Sequence, residues 1–315
     1  MVNESSLSGF LLLEFSEVRE LQIFHFLMFL TLYLITVTGN LLIVSAVALD
    51  HHLHTPMYFF LMNLALQDIG QVSVVIPKTL TNILMNTRHI TYSGCAAQVL
   101  FLLSFAASDI YLLTVMAYDR YVAICKPLQY EMVMNKQACT EMVASVWLSS
   151  LLYGTLHAMC TFATPFCSNI VNQFFCEIPQ LLKLSCSAFN QTEMGMIVFS
   201  GVIALGCFTF VVTTYVQILM TVLKIPSVSG RLKAFSTCLP HLMVLSIYLL
   251  TGSIAYLKPT SNTPSHLDVL SAVIYSMVPP MLNPLIYSMR NQEIKVSLSK
   301  LLARRHFPQS KLITF

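Results

Sequence analysis

The chain has 315 residues, of which 56% are hydrophobic and 10% charged, and its mean hydropathy is +0.71. Such a composition excludes an ordinary soluble domain and marks an integral membrane protein. The net charge of +3 gives no ground for a nucleic-acid partner.

From the start, Met1 to Leu21 shows no basic leader and carries Glu4, Glu14, Glu17 and Glu20, so it does not read as a cleaved signal peptide. The first span is expected to double as the targeting signal. Asn3-Glu4-Ser5 is a glycosylation sequon, and Asn3 is its expected acceptor. Apolar segments long enough to cross a hydrocarbon core follow near His25–Leu49, Met57–Pro77, Ala96–Tyr118, Cys139–Phe162, Gly195–Leu223, Cys238–Leu257 and Val269–Ser288. A bilayer offers no water to unpaired backbone groups, so these segments must be helices. The expected fold is all-α: residues 1–24 outside, a seven-transmembrane helix bundle over 25–289, and a cytoplasmic tail over 290–315.

Orientation follows from the basic residues. Arg120, Lys126, Lys136, Lys224, Arg231, Lys233 and the basic residues from Arg290 to Lys311 flank one side; only Arg19, Lys78, Arg88, Lys183 and Lys258 flank the other. The richer side is cytoplasmic, which puts the C-terminus inside and the N-terminus outside. A second sequon, Asn190-Gln191-Thr192, also lies outside but very near the fifth span.

Within the spans, Asn40, Asp68, Asp109 and Asn283 lie at similar depth and need partners. Two carboxylates facing one cavity repel, so either a cation such as Na+ sits between Asp68 and Asp109 or one of them holds a proton. Local hydroxyls and amides are the plainer alternative. No other cofactor and no metal centre is expected. The third span ends on Asp119-Arg120-Tyr121. An arginine cannot face lipid, so Arg120 belongs in a protein-lined vestibule beside Asp119, unless the pair is a snorkelling anchor.

Four cysteines, Cys95, Cys167, Cys176 and Cys186, fall on the oxidising side. Joining Cys95 to Cys176 would pin the long loop across the mouth of the bundle, with Cys167–Cys186 tightening that loop; Cys95–Cys186 is also open. Pro284 interrupts the seventh helix, freeing a carbonyl and creating a hinge beside Asn283, and Pro240 does the same in the sixth. Beyond Tyr287 the run Arg290 to Phe307 alternates apolar and basic residues, which suits a short helix on an anionic inner leaflet or else a basic tail.

Met-Ala-Tyr-Asp-Arg-Tyr-Val-Ala-Ile-Cys (Met116 to Cys125), Leu-His-Thr-Pro-Met-Tyr (Leu53 to Tyr58), Lys-Ala-Phe-Ser-Thr-Cys (Lys233 to Cys238), Gly39-Asn40 and Pro-Met-Leu-Asn-Pro-Leu-Ile-Tyr-Ser-Met-Arg-Asn (Pro280 to Asn291) together resemble the olfactory receptors among rhodopsin-like G-protein-coupled receptors. The resemblance runs from about Phe10 to Leu302. It implies a cell-surface odorant receptor, set in the plasma membrane, that activates a stimulatory G protein and raises cyclic AMP. It also implies that Arg120 leaves Asp119 on activation, that Tyr215 and Tyr287 then hold it, and that Tyr121, Lys233, His241, Asn283 and Pro284 belong to the coupling and switching machinery. Asp109 stands where the family usually has glutamate, and Tyr248-Leu249-Leu250 where it has Phe-Tyr-Gly.

The ligand pocket is expected between spans three, five, six and seven, lined by Leu102, Leu103, Ala106, Phe199, Ser200, Ile203, Leu249, Gly252, Ser253, Tyr256 and Ser276. None of these is charged, which suits a small, neutral, volatile odorant. Two other classes fit the residues less well. A transporter is disfavoured by the odd span count and the lack of an inverted repeat. An enzyme built on His51-His52-Leu53-His54 lacks a full ligand set in that short turn.

Overall fold

The structure is a computed structural model that describes residues 9–13, 18–186, 191–224, 226–257, 266–290 and 292–306. Its long helices are α1 (Arg19–Leu49), α2 (Pro56–Met85), α3 (Tyr92–Cys125), α5 (Lys136–Phe162), α7 (Gln191–Leu223), α8 (Val228–Leu257) and α9 (His266–Arg290). Two short helices, α4 (Tyr130–Val133) and α6 (Ile178–Leu182), sit in connections, and α10 (Gln292–His306) follows the bundle. Stretches of α1, α2, α3, α5, α7 and α9 are long and apolar enough to cross a membrane, and α8 completes the seven.

Most helices outrun the apolar segments that announce them, because backbone pairing continues past the hydrocarbon edge. The expected second span stops at Pro77, yet α2 runs on to Met85, where Asn86 adopts a left-handed conformation (φ 51°) and ends it. The side chains of Thr91 and Asn135 accept from the backbone N–H of Gly94 and Ala138 (3.1 and 2.9 Å), capping α3 and α5.

α3 is the axis of the bundle, touching α2, α5, α7 and α8. Its approach to α5 depends on Gly154, where an added Cβ would lie 2.4 Å from the Leu100 carbonyl oxygen and 2.2 Å from Ser104 Oγ. Small residues matter here because lipid tails are as apolar as leucine, so helices associate through close packing. The same logic leaves Leu34, Leu41, Leu152, Val202 and Leu205 exposed on the outside while Asn40, Gln67, Asp68 and Asp109 are fully buried.

The outer end carries a small sheet that the sequence did not announce. β1 (Gly9–Leu11) pairs antiparallel with β2 (His89–Thr91), with Phe10 opposite Ile90. The other edge of β1 is held by the long loop: Leu11 N–H donates to the Asn169 carbonyl (2.7 Å), and Val171 N–H donates back to Leu11 (2.9 Å). Phe10, 1% exposed, is set among Tyr92, Phe162 and Phe166. Disulfides join Cys95 to Cys176 and Cys167 to Cys186, the first of the pairings considered.

Candidate functional site

At the inner end of α3, the Asp119 carboxylate takes two bonds from Arg120, one from Nε at 2.9 Å and one from Nη2. Its other oxygen accepts from the Tyr130 hydroxyl at 2.8 Å. Burial, and then the Asp119 carboxylate, push the Tyr130 phenol further up, so it remains a donor. The Asp119 and Arg120 side chains are 1% and 13% exposed, far less than a snorkelling anchor would be. Close by, His241 Nε2 lies 2.8 Å from the Leu113 carbonyl, which can only accept, so Nε2 carries the proton. In the neutral ring Nδ1 is then the acceptor for the Tyr215 hydroxyl, at 2.6 Å. The Tyr287 hydroxyl is buried without a hydrogen-bond partner among the described residues. Tyr121 is half-buried, with Lys126 Nζ 5.5 Å from its ring centre. The Lys233 and Pro240 side chains lie outside the described residues.

Deeper in the bundle, Asn283 Nδ2 donates to both oxygens of Asp68, at 3.1 and 2.9 Å. The Tyr248 hydroxyl donates to Asp109 Oδ2 at 2.7 Å and reaches Asp68 Oδ1 at 3.4 Å, so one phenol bridges the two acids. Asp109 Oδ1 has no partner among the described residues. Asn40, expected in this group, is engaged elsewhere: its Nδ2 donates to the Thr36 carbonyl (3.0 Å) and the Pro280 carbonyl (3.1 Å).

That second bond has a cause in the sequence. Proline has no N–H, so Pro284 leaves the carbonyl four residues earlier, Pro280, without its helical donor, and Asn40 supplies one. Pro280 in turn deprives Ser276, whose carbonyl receives Gln71 Nε2 at 3.1 Å. Two amides on α1 and α2 thus repair two breaks in α9. Gly39 makes room for this: a Cβ there would lie 3.1 Å from the Pro284 ring.

Above Tyr248 is a cavity of about 130 Å³ lined by Gln71, Val99, Leu102, Leu103, Ala106, Ile110, Cys176, Glu177, Ile178, Tyr248 and Tyr275. Of the residues expected to face a ligand, Leu102, Leu103 and Ala106 line this cavity. Phe199 is 48% exposed on the outside of α7, and Ser200 faces α5, bonded to the Tyr153 hydroxyl and His157 Nε2 (both 2.9 Å). Ile203 is half-buried and Ser276 buried, but neither is on the cavity wall. The side chains of Leu249, Ser253 and Tyr256 and the surroundings of Gly252, like Asn3, lie outside the described residues.

Sequence reasoning missed Gln71, Glu177 and Tyr275. Glu177 makes the wall less neutral than expected. Burial pushes its carboxyl above the usual range, opposed by hydrogen bonds from Tyr275, Gln173 and Gln180 and by the charge of Lys183. Its place beside Cys176 was the available signal, since that disulfide brings the loop over the mouth. His51, His52 and His54 sit in an exposed turn whose Asp50 side chain accepts from the His52 N–H (3.1 Å).

The family model described as olfactory receptor matches residues 29–305. Olfactory receptor 14J1 of Homo sapiens is 44% identical over 313 residues, covering 99% of this chain and 98% of its own. Olfactory receptor 14A16 of Homo sapiens is 46% identical over 96% of this chain and 98% of its own, and olfactory receptor 1G1 of Gorilla gorilla gorilla 45% over 95% and 96%. The squid rhodopsin crystal structure superimposes with a TM-score of 0.71 at 17% identity, covering 94% of this chain and 90% of that one, which shows a shared seven-helix fold. On the motifs, the fold and these relatives together, the chain belongs to the olfactory receptor family, whose members are multi-pass membrane receptors and not enzymes.

Proposed function

We propose that this receptor sits in the plasma membrane with its N-terminus outside and its C-terminus inside, binds small, mostly apolar volatile molecules in the cavity under the pinned loop, and activates a stimulatory, olfactory-type G protein that raises cyclic AMP. One observation carries the reading. Tyr248 lines the cavity and donates to Asp109, while Asp68 holds Asn283 beside the Pro284 hinge, so a ligand at the cavity floor touches the polar core of the bundle. Any ligand that displaces the Tyr248 ring changes the partners of both acids, and the break at Pro284 gives α9 a place to bend.

In the same reading, Asp68 and Asp109 share a proton or hold a Na+ ion. The open Oδ1 of Asp109 fits either, as the O–H of a protonated carboxyl or as an oxygen ligand. On activation Arg120 releases Asp119 and meets the G protein. α10, with Lys295 and Lys300 exposed and Ile294 buried, rests on the anionic inner leaflet.

The test co-expresses the receptor with the olfactory stimulatory G protein and screens small volatiles for a cyclic AMP rise, with Arg120→Ala alongside at matched surface expression. A response lost in the variant is the expected result. A response that survives removes Arg120 from the switch, and silence of the wild type at verified surface expression would overturn the ligand class or the coupling.

A further inference from the structure

Among the described polar groups on the cavity wall, the tyrosine hydroxyls and the Cys176 N–H already have acceptors, while side-chain acceptor oxygens stand open. The Tyr248 hydroxyl gives its hydrogen to Asp109, the Tyr275 hydroxyl to Glu177 Oε2 at 2.6 Å, and the Cys176 N–H to Gln98 Oε1 at 2.8 Å. Gln71 Nε2 gives one of its hydrogens to the Ser276 carbonyl. That bond also fixes which way the amide points. A carbonyl can only accept, so nitrogen must face Ser276 and oxygen must face away.

Among the described residues Gln71 Oε1 is accordingly left without a partner, on a side chain only 2% exposed that lines the cavity. At the outer end of the same cavity, the Glu177 carboxyl takes hydrogen bonds from Tyr275, Gln173 (3.4 Å) and Gln180, three described donors for a group with about four acceptor sites. Facing these acceptors is the apolar wall of Leu102, Leu103 and Ala106. Buried acceptors without donors are unfavourable, and a ligand that supplies the hydrogen removes that penalty while one that brings another acceptor adds to it.

Building on the odorant-receptor reading, we infer that this cavity selects small molecules carrying one O–H or N–H donor on an apolar skeleton, alcohols and amines, over acceptor-only ketones, aldehydes and ethers of the same shape, with Gln71 Oε1 as the atom that reads the donor and Glu177 as the second acceptor. The size follows from the volume. A cavity of about 130 Å³ is close to one of about 150 Å³ that accommodates benzene, so a skeleton of about six or seven heavy atoms fits.

The test uses matched triplets, cyclohexanol, cyclohexylamine and cyclohexanone first among them, with ligand-induced thermal stabilisation of the purified receptor as the binding readout, independent of G-protein coupling. The alcohol and amine should bind at least about tenfold more tightly than the ketone. Gln71→Met should erase that preference, and Glu177→Gln, which keeps shape and removes charge, should weaken the amine more than the alcohol. If the first variant does not reach a folded state, the second still decides. Ketones binding as well as alcohols would overturn the donor rule and leave the receptor reading standing. Absence of stabilisation by every triplet would overturn the cavity as the odorant site, and the inference with it. A preference unchanged in both variants would remove Gln71 and Glu177 as its source.

Discussion

The hydroxyl of Tyr248 resolves a problem that a shorter acid creates. Asp109 reaches one methylene less far than the glutamate expected at its position, and Tyr248, standing where a phenylalanine is expected, supplies the hydrogen bond that spans the gap. Tyr248→Phe would leave Asp109 a buried carboxyl without a described partner and should lower stability by about 1–3 kcal/mol. Adding Asp109→Glu to that background should restore part of the loss, measured as thermal midpoint of the purified receptor; a double variant no better than the single one rules out the compensation. Glu177 makes a second prediction. Its folded-state carboxyl titrates above the unfolded value, so the folded form binds the proton more tightly. The contribution of Glu177 to stability is then greatest at low pH and falls as pH rises from about 4, the ordinary glutamate range, through the raised value. Melting curves of Glu177→Gln across that window should show a flatter dependence than wild type. At Gly154 even alanine has nowhere to put its methyl, so Gly154→Ala should push α5 from α3 and reduce both melting temperature and surface yield.

The helices of the bundle were legible because each is marked by a run of apolar residues, and the break at Pro284 because proline cannot donate. What repairs the break was not legible. Asn40 reads as one more intramembrane polar group, and only its placement opposite Pro280 shows that it substitutes for a missing backbone N–H. The assignment has a clean test: Asn40→Leu should cost about 1–3 kcal/mol, and little of it should remain in a Pro284→Ala background, where residue 284 again has an N–H for the Pro280 carbonyl. A cost unchanged by Pro284→Ala, followed by thermal melting of the four receptors, would break the link. The rotation of α7 was illegible for a different reason. That helix is rich in apolar residues, with Val198, Phe199, Val202, Leu205, Phe208 and Val212 all exposed, so no polar face announced which side looks inward. Hence Phe199 was expected at the ligand and is found on the outside, while Ser200 is claimed by Tyr153 and His157. β1 and β2, three residues each, are too short for any periodic signal.

Over the whole molecule, three layers lie along α3: the disulfide-held cap over the cavity, the Asp68–Asp109–Tyr248–Asn283 core, and the Asp119–Arg120 pair at the inner end. The cap is what makes the upper layer a cavity. The Cys95–Cys176 bridge closes 81 residues of chain, and replacing both cysteines by serine should destabilise the receptor by about 2–5 kcal/mol and abolish ligand-induced stabilisation before it affects the inner end.

The seating of β1 carries an implication for how the protein is made. Residues 9–13 emerge first, yet their hydrogen-bond partners are Arg88 to Thr91 and Asn169 to Gln173, which follow much later on the ribosome. The outermost strand therefore has no complete berth until four spans have been inserted and most of the long loop has crossed the membrane. Phe10, buried in the finished receptor, spends that interval exposed in the lumen. Nascent chains halted at residue 160 should be cut readily by a lumenal protease within residues 9–13, whereas chains carried past residue 186 should be protected there, so the clasp of the mature fold acts as a timer that reports completion of the outer half.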